Sequence, residues 1–153
     1  MLGLRALKTV TAVALFLGAG VVSASADATS SIQARQACMK ANGGIMAVAV
    51  PMMKGEKPFD KAALDAAFAA ENKACAGWAD WWGEDTKPGG ATETWAKDEV
   101  WTDKAGFDAA AGAYVKAATA LAAATDEASF KAAFPELGNS CKGCHEKFRR
   151  PKG

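Results

Sequence analysis

Apolar residues recur three and four positions apart over most of this chain, which is the spacing of amphipathic helices. The first predicted helix covers roughly Thr29 to Val50 and ends near Pro51. Asp60 is a suitable N-cap for a second helix, because its carboxylate can accept from the free amides of a first turn. The inward stripe of these two helices consists of Ile32, Met39, Met46, Val50, Met53, Leu64, Phe68, Cys75 and Trp78.

A loop from Gly83 to Thr94, centred on a Pro-Gly-Gly run, separates these helices from a second pair. The third predicted helix runs from about Thr102 to Ala124, and Thr125 is the predicted cap of the fourth. Pro135 and Gly138 interrupt the fourth helix, so a kink or a break is expected there. The inward positions of the second pair are Phe107, Tyr114, Val115, Leu121, Phe130, Phe134, Leu137, Cys141, Cys144 and Phe148.

The connections between these segments are short apart from one longer loop, and strand-type alternation is absent from the sequence. The pattern therefore predicts an all-α fold, an antiparallel up-down-up-down four-helix bundle. Cys141 and Cys144 fall on the inward seam of the last helix. A group attached to them would be buried within the bundle, near one end.

The N-terminus has the pattern of a secretory signal peptide. Arg5 and Lys8 supply a positive start, residues 9–22 are apolar, and residues 24–26 form a small-residue cleavage site. We predict a cleaved signal peptide over residues 1–26, a single domain over residues 27–153, and a location in the periplasm. An uncleaved N-terminal anchor is the alternative.

The charge balance gives no reason to propose a nucleic-acid partner. The whole chain carries a formal charge of +1, and loss of the two cations in residues 1–26 leaves −1. Such a near-neutral chain is not expected to bind nucleic acid, and we predict no stable membrane insertion after signal cleavage. No nucleophile–base pair or carboxylate dyad indicates an enzyme.

Cys141, Cys144 and His145 form a C-x-x-C-H motif close to the C-terminus. Two thiols at this spacing can each form a thioether with one vinyl group of a haem, and the following histidine can bind the iron. His145 is the only histidine of the chain, which excludes bis-histidine ligation within one chain. The motif predicts one covalently attached haem c, with His145 as the proximal ligand.

Two other readings of the motif exist. A redox-active dithiol usually accompanies a βαβ pattern, and no strand pattern occurs here. A structural zinc site needs four ligands, and Cys38 and Cys75 lack the paired spacing of further zinc ligands. An alternative from a different functional class is a helical bundle without haem that holds a zinc or disulfide site.

At these residues the chain resembles the class II cytochromes c, which comprise high-spin cytochromes c′ and low-spin, six-coordinate proteins of the cytochrome c-556 type. The resemblance covers essentially the whole mature chain, and the C-terminal position of the haem motif is its most specific point. It implies a monohaem carrier of single electrons in a four-helix bundle. Segment 53–60 is closer to the c-556 type than to typical cytochromes c′. The matching segments are residues 35–40, 53–60, 99–101 and 141–149.

Met39 is the predicted distal ligand of the iron. It lies roughly 14 Å along the first helix, level with the haem motif on the last, whereas Met46, Met52 and Met53 lie further away. In the resembled family a methionine here either ligates iron or lines an open distal pocket. An open position gives the alternative function, a five-coordinate cytochrome c′ that binds nitric oxide or carbon monoxide.

Arg35 lies four residues before Met39, on the same face of the first helix. The resemblance implies that an arginine at this position approaches a haem propionate. A partly buried propionate needs such a partner. The alternative is an ordinary solvated arginine.

Cys38 and Cys75 are not part of the usual family pattern. On antiparallel helices their heights agree to within roughly 3 Å, and an oxidising compartment favours a disulfide between the first two helices. Two ordinary core cysteines, or a bridge between chains, are the alternatives.

The expected partners are redox proteins that the sequence does not identify. A homodimer through the first two helices, as in many members of the resembled family, stays open. The tryptophans at the end of the second helix and in the following loop are interpreted as a hydrophobic plug over the bundle end, with partner docking as the alternative. They are Trp78, Trp81, Trp82 and Trp95.

Overall fold

A computed structural model describes residues 20–90 and 92–151 of the chain, with side chains described from residue 27 onward. The described backbone is helical, with an isolated bridge between Ala96 and Arg149 as its one pairing of extended segments. The helices are α1 (Gly20–Met53), α2 (Lys61–Ala74), α3 (Glu99–Thr102), α4 (Lys104–Ala122) and α5 (Glu127–Phe148). The four long helices, α1, α2, α4 and α5, form the predicted four-helix bundle.

The predicted signal peptide lies mostly outside the described residues. Its last residues form the start of α1, which runs on through the predicted cleavage position after Ala26. Cleavage at that position stays a prediction. Among the described residues, no helix combines the length and apolarity that a membrane crossing requires.

Helix α1 continues through Pro51 to Met53, slightly beyond the predicted end. Gly55, with φ of 74°, then ends it. The Glu56 amide donates to the Pro51 carbonyl at 2.9 Å and the Gly55 amide to the Met52 carbonyl at 3.1 Å, the paired bonds of a Schellman motif. A glycine in the left-handed region, rather than the proline, therefore terminates this helix.

Aspartate side chains begin the other three long helices. Asp60 accepts from the Ala63 amide at 2.9 Å, which confirms the predicted start of α2. Asp103 accepts from the Gly106 amide at 3.0 Å and begins α4 close to the predicted start at Thr102, while the short α3 before it was not predicted. Asp126, not Thr125, caps α5 through a reciprocal pair of bonds with Ser129.

Helix α5 is continuous through Pro135 and Gly138, so a break at these residues, one of the two predicted outcomes, is wrong, and the kink stays a prediction. Pro135 is exposed, and solvent can therefore satisfy the carbonyl that loses its partner one turn earlier. Val115, predicted to face inward, is 59% exposed and lines the cavity described below, so it lies outside the hydrophobic clusters. Phe107, one of the other predicted positions of α4, is buried.

Two hydrophobic clusters fill the bundle. The larger one joins all four long helices and consists of Ile45, Ala49, Met52, Leu64, Phe68, Ala117, Ala118, Leu121, Ala124, Phe130 and Leu137. The smaller one is built on Val100, Phe107 and Phe148, with Trp78, Trp82 and Trp101 packed against it. It lies at the end of α5 that carries the C-x-x-C-H motif, and the candidate site uses its aromatic side chains as one wall.

Candidate functional site

A cavity of about 950 Å³ opens within the haem-motif end of the bundle. Side chains of α1, α2, α4 and α5 line it, together with the segment 94–96. This segment is held against the end of α5, because the Lys97 amide donates to the Phe148 carbonyl at 2.9 Å and the Arg150 amide to the Trp95 carbonyl at 2.8 Å. The volume is at the upper end of the range for small-molecule and cofactor sites.

Cys141, Cys144 and His145 all line this cavity from the last two turns of α5. Both thiols are free and half-buried, and burial raises the pKa of each. Burial, and secondarily the charge of Arg149, lowers the pKa of His145, which favours the neutral imidazole that binds metals. The structure thus brings the three predicted haem-binding residues to one wall.

Arg35 reaches the same cavity from α1 and is only 4% exposed. Its Nη2 donates to the Thr86 carbonyl at 3.1 Å, and its guanidinium carbon lies 4.4 Å from the centre of the Trp82 ring. Burial lowers the pKa of Arg35 to about 10. The solvated arginine that the sequence left open is therefore wrong.

Arg35 and Trp82 present unused hydrogen-bond donors. Within the described residues, the buried Nε and Nη1 of Arg35 and the buried Nε1 of Trp82 have no partner, although both side chains line the cavity. Buried donors without a partner are costly. An acceptor with several lone pairs beside a cation, such as a haem propionate, matches this set. The residues present therefore fit a haem.

Trp82 was missed as a candidate cofactor contact, because the tryptophans were interpreted together as a plug. Trp82 does pack in an aromatic cluster, with its ring centre 4.8 Å from Trp78 and 4.6 Å from Phe107. The additional role of Trp82, as a hydrogen-bond donor to a cofactor, depends on the position of Arg35, which is 47 residues away in the sequence. No local pattern indicates that pairing.

Met39 lines the cavity from α1 and is 39% exposed. Met46 reaches the cavity as well, two turns further along α1. Met52 is buried in the larger hydrophobic cluster, and Met53 packs against that cluster. The structure therefore leaves Met39 and Met46 as the thioethers at the cavity.

Cys38 and Cys75 form a disulfide, with their Cα atoms 4.8 Å apart, that joins α1 to the C-terminal end of α2. The side-chain amide of Asn42 donates to the Cys38 carbonyl at 3.0 Å and lies 3.7 Å from both sulfur atoms. All three residues line the cavity. The disulfide is thus part of the cavity wall.

Glu71 and Tyr114 also line the cavity, and the sequence analysis assigned neither a functional role. Glu71 is buried. Burial, with the charge of Glu71 as a second cause, raises the pKa of Tyr114. A signal for Glu71 was present, because it occupies the seam position between Phe68 and Cys75, three residues after the first and four before the second.

Comparison with known proteins gives a consistent result. A family profile described as Cytochrome C' matches residues 30–149. Cytochrome c-556 of Agrobacterium fabrum is 34% identical over 150 residues, which cover 95% of this chain and 97% of the relative.

Two solved structures are similar in fold. The crystal structure of cytochrome c′ from Rubrivivax gelatinosus gives a TM-score of 0.71 at 33% identity, covering 80% of this chain and 97% of that one. A nitric oxide complex of a variant of cytochrome c prime from Alcaligenes xylosoxidans gives a TM-score of 0.67 at 28% identity, covering 79% of this chain and 94% of that one.

Proposed function

Because this chain belongs to the cytochrome c′ family of class II cytochromes c, we propose that it is a periplasmic carrier of single electrons with a low-spin, His/Met-ligated haem. The cofactor of the family is one covalently attached haem c. When bound, haem iron alternates between two oxidation states and so holds or gives up one electron. We assign no catalytic residues.

The observation that carries this proposal is the convergence of the required side chains on one cavity. Cys141 and Cys144 would hold the haem through thioethers, and His145 would be the proximal ligand. Arg35 and Trp82 would donate to a propionate with the N–H groups that find no partner among the described residues. The aromatic wall would limit the access of water to a bound haem, and access of water is one of the factors that set a haem reduction potential.

Met39 is the proposed distal ligand. Its side chain is on a different helix from His145, and both line the cavity. A thioether in the sixth position closes the iron to external ligands and raises the reduction potential. The similarity to a cytochrome c-556 over 95% of the chain supports this choice.

Replacing Met39 by leucine should open the sixth position. We expect the reduced wild-type protein to show sharp α and β bands that change little with carbon monoxide, and the Met39→Leu variant to show a broad high-spin spectrum that changes at once. The measurement is the visible absorption spectrum of the reduced protein before and after carbon monoxide is added.

Met46→Leu is the matched control, because Met46 also lines the cavity. It should keep the wild-type spectrum. If Met46→Leu instead opens the iron, the ligand is Met46. A wild-type protein that is high-spin and binds carbon monoxide overturns His/Met ligation altogether.

A five-coordinate cytochrome c′ is the second candidate function. Here Met39 lines an open pocket, and the protein binds nitric oxide or carbon monoxide. The similarity to the Alcaligenes xylosoxidans protein, whose structure is described as a nitric oxide complex, favours it. The carbon monoxide experiment separates the two functions, because only an open iron responds.

Replacing Arg35 by methionine should destabilise the haem-loaded protein. The change leaves a propionate buried without its cation, and breaking a buried ion pair costs about 3 kcal/mol or more. The loss of unfolding free energy is measured by guanidinium chloride unfolding followed by Soret absorbance. Lys40→Met is the control, because Lys40 is an exposed cation on the same helix and its loss should cost less than about 0.5 kcal/mol. Equal losses in both variants would show that Arg35 has no anionic partner.

Export, periplasmic location and a homodimer through α1 and α2 belong to this proposal. The expected partners are redox proteins that give or take one electron. Cleavage after Ala26 is checked by mass spectrometry of the mature protein.

A further inference from the structure

Glu71 is the only acidic side chain among the described residues that line the cavity, and it is 6% exposed. Within residues 27–90 and 92–151, no lysine, arginine or histidine forms a salt bridge with it. Buried carboxylates are rarely left without a cationic partner, because losing hydration is costly. A buried carboxylate without a cation is therefore an exception of the kind expected mainly at functional sites.

Neutral groups lie beside Glu71. A carboxylate oxygen of Glu71 lies within 4.8 Å of both sulfur atoms of the Cys38–Cys75 disulfide, which can neither donate a hydrogen bond nor exchange a proton. The amide of Asn42 is directed at Cys38 and the disulfide. Tyr114 lies beside Glu71: burial, then the charge of Glu71 and a polar contact with its side chain, raise the pKa of Tyr114.

The other titratable or charged groups of the cavity are unsuited to exchange protons near neutral pH. Tyr114 on α4 stays neutral, because its pKa is raised. Arg35 on α1 keeps its charge, since its pKa remains about 10. The remaining groups are Cys141, Cys144 and His145 on α5, and Arg149 directly after it. The proposed function uses the two thiols as thioethers and the imidazole as an iron ligand.

We infer that Glu71 takes up a proton when the haem is reduced and releases it when the haem is oxidised, so that electron transfer is coupled to proton transfer. Reduction adds one negative charge to the cavity, and two negative charges repel strongly in a poorly solvated wall. The electron comes from the redox partner, the proton from solvent, and the one new bond is the O–H bond of the Glu71 carboxyl group. The inference rests on the proposed function only in needing a bound haem, whichever sixth ligand is present.

The test is the midpoint potential of the haem-loaded protein as a function of pH, across the range in which carboxyl groups of proteins titrate. For the wild type the potential should fall as pH rises, towards the limit of one proton per electron. That limit is a tenfold change in the reduced-to-oxidised ratio for each pH unit, or 59 mV. In Glu71→Gln the slope should be lost, and Tyr114→Phe should shift it along the pH axis.

Glu136→Gln is the matched control, since it removes the same charge from an exposed position of α5 and should keep the wild-type slope. A second readout is the reduced-minus-oxidised infrared difference spectrum. It should show a protonated carboxyl band that shifts in D₂O and is absent from Glu71→Gln.

Each outcome decides between the alternatives. A slope that survives in Glu71→Gln assigns the proton to the haem propionates and overturns the inference. A wild-type potential that does not change with pH overturns it as well. Absence of a Soret band from the purified protein would instead mean that the proposed function has failed.

Discussion

A Cys141→Ala/Cys144→Ala variant should carry no covalently attached haem. The two thiols are the only free cysteines among the described residues, and both face the cavity from adjacent turns of α5. Without them no thioether can form, so only non-covalent contacts would remain. Haem staining after denaturing electrophoresis should fall to background, and acid–acetone should extract any remaining haem from the polypeptide.

The chain contains its own control for this experiment. Cys38→Ala/Cys75→Ala also removes two cysteines from the cavity wall, but these belong to the disulfide. This variant should keep wild-type haem staining. Staining that persists in the Cys141→Ala/Cys144→Ala variant, or disappears from the control, would reverse the assignment of the two cysteine pairs.

The Cys38→Ala/Cys75→Ala variant should instead lose stability. The disulfide closes a loop over a sequence separation of 37 residues, and the chain-entropy relation for such a loop gives about 4 kcal/mol. The haem is retained, so the loss reflects the greater freedom of the unfolded chain. We expect a clearly lower midpoint in guanidinium chloride unfolding followed by tryptophan fluorescence.

Reduction of the wild-type disulfide, with the thiols then blocked, provides the comparison. It should lower the midpoint to a similar extent, whereas the same treatment should leave the double-alanine variant unchanged. Unfolding curves that coincide for oxidised wild type and variant would mean that the cross-link contributes nothing to stability in solution.

The two cysteine pairs show how far local sequence reasoning reaches. The C-x-x-C-H spacing carries its chemistry within five residues, so it required no knowledge of the fold. The Cys38–Cys75 pairing needed the additional assumption that the first two helices are antiparallel. The structure brings these cysteines together, but Glu71 enters the same cluster only through the packing of α2 against α1.

Local sequence patterns were enough to predict the number of long helices, the seam of α5 and the start of α2 at Asp60. These depend on periodicity and on caps, which act over one or two turns. Of the kink or break predicted at Pro135, the break was wrong, because a proline rule ignores whether solvent can satisfy the freed carbonyl.

The burial of particular polar groups, in contrast, follows from how the helices and loops pack together. Arg35 is buried because Thr86 and Trp82, about 50 residues further along, close over it. Glu71 is buried beside Tyr114 and the disulfide, and forms no salt bridge with any described residue. Burial is a property of contacts between distant segments, and a short sequence pattern contains no information on those contacts. The residues that adjust the environment of the haem therefore emerge only when the four long helices are assembled.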